Sequence, residues 1–227
     1  MLGSRHPGLP GWLLEAPLFH DRFEAGRALA EELSRRIPGT CVVVGLARGG
    51  VQVAAEVARG FGAPLDVVAV RKVRHPLQPE YALGAVTPGD GVYLRGHEWL
   101  SEEELATVVA RAQADAERLD RALHASHPPL RLAGTRVVLV DDGLATGATM
   151  LAAVRWARAG GAVEIVAAVP VAAPETAALV RAQARLVCPH EEADFVAVSL
   201  WYEDFPQVGD AEVVRLLDEA SARLAAR

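Results

Sequence analysis

Arg136-Val137-Val138-Leu139-Val140-Asp141-Asp142-Gly143-Leu144-Ala145-Thr146-Gly147-Ala148-Thr149-Met150 is the stretch on which the reading of this chain turns. Val137 to Val140 form an apolar, mostly β-branched run, which predicts a strand buried on both faces, as in a parallel sheet. Two adjacent carboxylates follow, then small residues from Ala145 to Thr149. A helix is predicted to begin there, with Met150, Leu151, Val154 and Ala157 on its inner side.

That order suits a sugar phosphate. In open α/β sheets ligands bind at the carboxyl ends of the strands. A loop without bulky side chains lets backbone N–H groups approach a phosphate, and the helix N-terminus adds positive dipole. Thr146 and Thr149 add hydroxyl donors. Asp141 and Asp142 would repel a phosphate, so they suit sugar hydroxyls or a divalent cation. A ligand with vicinal hydroxyls and a 5-phosphate satisfies both halves.

Working outward, Cys41-Val-Val-Val-Gly-Leu46 predicts a second buried strand, followed by Ala47-Arg48-Gly49-Gly50 and a helix from Val51 to Arg59. The spacing is not GxGxxG, so a dinucleotide site is poorly supported. Arg48 beside two glycines suits a diphosphate, which a guanidinium binds in a forked geometry. Leu65 to Val70 predicts the next strand. Arg71 and Lys72 stand at its end, either as a solvated strand end or to neutralise phosphate. Lys72 is the one lysine among 23 basic residues.

Val73 to Arg95, with four prolines or glycines in its second half alone, reads as a flexible loop carrying a two-stranded ribbon, Ala82–Val86 and Val92–Leu94. Asp21, with Glu24 three positions on, caps an early helix, and Ser101 with Glu104 forms a capping box for a long one. His124 and His127 read as its frayed end. Strands are predicted at Val163–Val169 and Arg185–Cys188, a helix at Pro174–Ala184, and a last helix, Val213 to Ala225, capped by Asp210. The alternation predicts an α/β fold: a doubly wound, mostly parallel sheet of about five strands. Residues 189–209 concentrate Phe195, Trp201, Tyr202 and Phe205 in a chain that is 5% aromatic, which suggests a cap, a hydrophobic plug or a dimer contact.

The 227 residues suit one domain, 1–227, with a Gly/Pro-rich N-terminal arm over 1–19. Hydrophobic residues make up 51%, enough for a core, and the net charge of −6 gives no electrostatic case for nucleic acid. Cys41 and Cys188 read as reduced thiols at strands. Cys188, His190, Glu191 and Glu192 lack a second ligand cluster, so a metal site there is poorly supported. No apolar run reaches membrane-spanning length, and Glu15 and Pro17 break the one N-terminal apolar run, so no membrane association and a cytoplasmic location are expected.

The central stretch resembles the phosphoribosyl-pyrophosphate (PRPP) motif of type I phosphoribosyltransferases. The resemblance implies displacement of pyrophosphate from PRPP by a nucleobase or another small nitrogen nucleophile, with Mg2+. It implies that Asp141 and Asp142 hold the ribose hydroxyls and, through ribose or water, the metal. Ala145, Thr146, Gly147, Ala148 and Thr149 would hold the 5-phosphate. Ala47, Arg48, Gly49, Gly50, Arg71 and Lys72 would take the pyrophosphate, with Arg48 and Lys72 counted beside the acids as catalytic. Residues 73–95 resemble the family's closing loop, with Glu80 and Tyr81 as lid residues. Residues 189–209 resemble its hood, where Tyr202 or Phe205 would face the acceptor. A homodimer is usual for the family. Ala145 stands where 6-oxopurine members carry an aspartate, so the motif is more similar to the adenine and orotate members. The layout from Asp21-Arg-Phe-Glu-Ala-Gly-Arg27 onward resembles a branch of predicted phosphoribosyltransferases over roughly residues 20–215. Two alternatives stay open: a PRPP- or nucleotide-sensing regulator that keeps the fold without transfer, and a phosphate-sugar-binding α/β protein of other chemistry.

Overall fold

Residues 17–226 are described by the computed structural model; the expected arm over 1–19 lies outside them except for its end. The chain runs α1 (Arg22–Arg36), β1 (Val42–Ala47), α2 (Gly50–Phe61), β2 (Leu65–Ala69), β3 (Arg71–Arg74), β4 (Ala82–Val86), β5 (Val92–Leu94) and α3 (Glu102–Leu123). It continues with β6 (Arg136–Val140), α4 (Ala148–Ala159), β7 (Glu164–Ala168), β8 (Val171–Ala172), α5 (Pro174–Arg181), β9 (Arg185–Val187), β10 (His190–Glu191) and α6 (Asp210–Ala225).

Five strands pair in parallel in the order β2-β1-β6-β7-β9, the sheet expected from the apolar runs. In β1, β2 and β6 the side chains are buried on both faces because helices cover both. From β6, Val138 and Val140 enter one core with Leu29 and Leu33 of α1 and Val53 and Val57 of α2. Val137 and Leu139 enter the other with Met150, Leu151 and Val154 of α4. The chain steps from β1 outward to β2, then returns to place β6 on β1's other edge. The crevice between the carboxyl ends of β1 and β6 is therefore the topological switch point, where open α/β sheets bind ligands.

The predicted ribbon is more than a ribbon. β3, β4 and β5 form a three-stranded antiparallel sheet, and Val73, Leu83 and Val86 are buried under Ala112 of α3. Arg71 and Lys72 accordingly open β3 instead of closing the preceding strand. Within the expected closing loop, the tip between β3 and β4, residues 75–81, and the turn at 87–91 between β4 and β5 remain irregular.

Two helix ends also differ from expectation. Asp210 is the first residue of α6, with Gly209 as the N-cap, so its carboxylate is left to another partner. His124 is not frayed. It caps α3 with its side chain 8% exposed, Nε2 lying 2.9 Å from Asp66 Oδ1 in β2 and Nδ1 lying 3.0 Å from the Asp120 carbonyl. Hydrogen bonding to Asp120 and Asp66 outweighs burial and pushes the imidazole up to about 10. A group whose pKa is raised on folding stabilises fully below its unfolded pKa, near 6.5, and that contribution fades as pH rises through the folded value. Replacing His124 with leucine should cost roughly 2–3 kcal/mol at neutral pH. The gap to wild type in urea unfolding should narrow as pH rises through about 10. A gap independent of pH would show that the imidazole is held neutral.

Candidate active site

The two loops singled out in the sequence meet at the switch point, and glycine makes the meeting possible. β1 ends in Ala47-Arg48-Gly49-Gly50, with a cis peptide between Ala47 and Arg48. A Cβ on Gly50 would stand 2.6 Å from the Val140 carbonyl oxygen and 2.8 Å from Asp141 Cα. A Cβ on Gly49 would collide with Asp142 Oδ2. Only a backbone without side chains can lie so close against the acid pair.

Both loops feed helices. α2 starts behind Gly49 and α4 behind Gly147, whose φ of 72° is a left-handed conformation that favours glycine. Neither helix has a side-chain cap on its first-turn N–H groups. Two uncapped N-termini therefore flank the acids, each suited to an anion. Ala145 and Thr146 are exposed in the second loop, whose ends are tied down by Leu144 N donating to Val171 O and Thr176 Oγ1 donating to Ala145 O at 2.9 Å.

The acids are not equivalent. Asp141 Oδ1 accepts from the Asp142 N–H at 3.0 Å, and Oδ2 lies 3.4 Å from the Thr149 hydroxyl. Asp142 Oδ2 accepts from Arg22 Nε at 2.8 Å, and its side chain keeps 15% of its surface open. Burial first, then the neighbouring Asp142 charge, holds Asp141 well above the carboxylate range. Burial also raises Asp142, opposed by Arg22. Paired acids recessed at a strand end and short of positive charge can receive a cation or hydroxyl donors.

Arg22 was missed from the sequence. One signal existed: a basic residue in a helix's first turn opposes the dipole and needs another reason to be there.

Arg71 and Lys72 line a cleft of about 750 Å3 that runs from Ala47 and Thr149 to Arg74, His75 and Arg111. Among the described residues neither has an acidic partner within ion-pair distance. Burial, then the charge of Arg48, lowers the Arg71 guanidinium pKa. Arg48 itself is turned to Asp210 at the start of α6. Glu80 and Tyr81 lie on the exposed tip, with the Tyr81 ring 6.5 Å from that of His75.

Of the two hood residues, Tyr202 needs correction. Tyr202 is 4% exposed, its ring packed 5.7 Å from Phe19 and 5.0 Å from Phe205, and its hydroxyl donates to the Asp142 carbonyl at 2.6 Å. Phe205 has the Arg22 guanidinium 3.5 Å from its ring centre. Both rings therefore brace the acid pair from behind, and Tyr202 has no open face for a base. Burial holds the Tyr202 phenol far above its ordinary pKa, so it stays a donor. Tyr202→Phe should cost about 1 kcal/mol in thermal unfolding. A melting curve unchanged from wild type would count against the brace.

With this geometry in place, the comparisons are specific. The phosphoribosyl transferase domain family matches residues 19–202, which contain both loops. The chain is 41% identical over 210 residues to a protein of Mycobacterium tuberculosis strain H37Rv whose name marks it as a presumed phosphoribosyl transferase. Its counterpart in strain CDC 1551 gives the same figures. The alignment covers 89% of this chain and 47% of either relative, so the chain spans about half the length of the curated relatives it matches. The crystal structure of TT1426 from Thermus thermophilus has 42% sequence identity and a TM-score of 0.77, covering 88% of this chain and 98% of that one. By fold, by the span of the match and by the two loops at its switch point, this chain belongs to the phosphoribosyl transferase domain family.

Proposed function

We propose that the site binds PRPP with Mg2+ and transfers its phosphoribosyl group to a small nitrogen nucleophile, releasing pyrophosphate. One observation carries this reading: the glycine loop and the acid pair lie in contact between two uncapped helix N-termini. That puts a recess for hydroxyls between two anion-binding ends, matching a sugar phosphorylated at both ends.

In this reading the 145–149 loop and the start of α4 hold the 5-phosphate. Asp141 and Asp142 accept hydrogen bonds from the ribose hydroxyls. The backbone of 47–50, with Arg71 and Lys72, takes the pyrophosphate. Arg48 would have to leave Asp210 to join them, and a half-exposed pair of that kind is worth at most about 1 kcal/mol. Charge develops on the ribose and on the departing diphosphate, so preorganised donors and acids supply most of the rate. The donor set fits magnesium, which takes one or two carboxylates when phosphate oxygens and waters complete its octahedron. Bound there, the metal would neutralise leaving-group charge. The tip at 75–81, with Glu80 and Tyr81, would close over the ligand and exclude water.

The acceptor side is open, since Tyr202 is spent on Asp142. Pyrophosphate release from PRPP and Mg2+ across purines, pyrimidines and other nitrogen nucleophiles tests the reading, with the Asp141→Asn, Asp142→Asn double variant as blank. Release with one acceptor, absent from the blank, establishes the transferase. Magnesium-dependent PRPP binding without release favours a sensor. Absence of PRPP binding removes the reading.

A further inference from the structure

Arg22 stands where a cation is least at home. It opens α1, whose N-terminal dipole disfavours positive charge, and it is 6% exposed. Burying a guanidinium is costly unless each of its faces is satisfied. Here Nε donates to Asp142 Oδ2 at 2.8 Å, Nη1 donates to the Pro206 carbonyl at 2.8 Å, and the plane rests on Phe205. A Cβ on Gly49 would lie 3.2 Å from Nε and Nη2. The first helix, the glycine loop, the acid pair and the C-terminal segment thus converge on one side chain.

We propose that Arg22 is a positioning residue that commits Asp142 Oδ2 away from the ligand, so that Asp142 turns its Oδ1 to the ribose hydroxyls and metal. The inference rests on the phosphoribosyl reading of the acid pair and deepens it. Arg22 touches no substrate atom in this arrangement. It acts through the orientation and charge of Asp142. Its rigid planar fork serves two oxygens from different segments at fixed angles, a geometry that an ammonium on a flexible stem does not impose.

Calorimetric titration of Mg–PRPP into wild type, Arg22→Gln and Arg22→Lys, with a melting curve for each, provides the test. Removing the guanidinium frees Asp142 Oδ2 and leaves the Pro206 carbonyl without its donor. Arg22→Gln should therefore weaken Mg–PRPP binding by about 10- to 100-fold. Arg22→Lys should recover part of that loss while staying about 3- to 10-fold weaker than wild type.

A purely structural arginine would lower both melting temperatures and leave affinity where wild type has it, which overturns the proposal. If Arg22→Gln does not fold, Arg22→Lys decides alone, and wild-type affinity in that variant overturns it. Failure of the wild type itself to bind Mg–PRPP is a different result: it removes the phosphoribosyl reading, and this inference with it.

Discussion

Asp141→Asn should lower acceptor-dependent pyrophosphate release by at least about 100-fold, the usual scale for one preorganised electrostatic contact. The side chain keeps its shape, so the loss is one of charge. The effect on stability should have the opposite sign. Burial and the Asp142 charge raise the Asp141 pKa on folding. For an acid, a raised folded value means that the native state holds its proton longer than the unfolded chain. Stability therefore falls as pH climbs above the unfolded value, near 3.9. Asparagine escapes that penalty. The variant should melt at or above the wild-type temperature, with the advantage growing as pH rises above about 4. Wild-type turnover in the variant would remove Asp141 from the site, and a marked fall in melting temperature would show that the carboxylate is a structural anchor.

Gly50→Ala should damage stability and ligand binding together. The new Cβ would face the Val140 carbonyl at 2.6 Å and Asp141 Cα at 2.8 Å. Both are backbone atoms, so no rotamer change relieves the contact, and the strand ends must part. A cost of about 2–4 kcal/mol in urea unfolding is expected, at the upper end for overpacking. Mg–PRPP affinity should fall by about 100-fold or more, since the glycine loop and the acids would no longer share one ligand. Gly49→Ala makes the informative contrast. Its Cβ meets the Asp142 carboxylate, a side chain that can turn. Stability should drop less there while affinity drops comparably. Equal behaviour of the two variants would mean that the loops are not in register as described.

The parts of the fold legible in the sequence were those with dense local signals. β1, β2, β6 and β7 are apolar runs interrupted only by Asp66 within β2 and opened by Arg136 in β6 and Glu164 in β7, and α1 and α3 carry caps that are present in the structure, Asp21 to Glu24 N and Ser101 with Glu104. The loops after β1 and β6 were legible because anion-binding backbone needs small residues in sequence. Long-range partners were not legible. Whether residues 71–74 close one strand or open another depends on burial of Val73 against α3. His124 reads as an end residue until Asp66, 58 positions away, is placed beside it. Tyr202 looked like a stacking platform because its hydroxyl's partner, Asp142, is 60 positions distant. Arg22 escaped notice for the same reason.

The bracing of the acid pair has a consequence for biosynthesis. The parallel sheet is complete once β9 has been made, at Val187. The brace needs Tyr202, Phe205 and the Pro206 carbonyl, and the pair from Arg22 to Pro206 closes over 184 positions. Phe19 is tied in as well, donating to the Trp201 carbonyl and accepting from Glu203 N–H. A nascent chain halted just beyond β9 would thus own its sheet, both loops and Arg22, yet lack the Tyr202, Phe205 and Pro206 groups that fix Arg22 and the acid pair. Contacts of such long sequence separation form late and slowly, because loop closure must precede any return from them. If the acid pair binds Mg–PRPP as proposed, competence would come only after the brace has left the ribosome, and an arrested series stepped from residue 190 to 210, each carried on a spacer that clears the exit tunnel, should show Mg–PRPP retention appearing abruptly after Pro206.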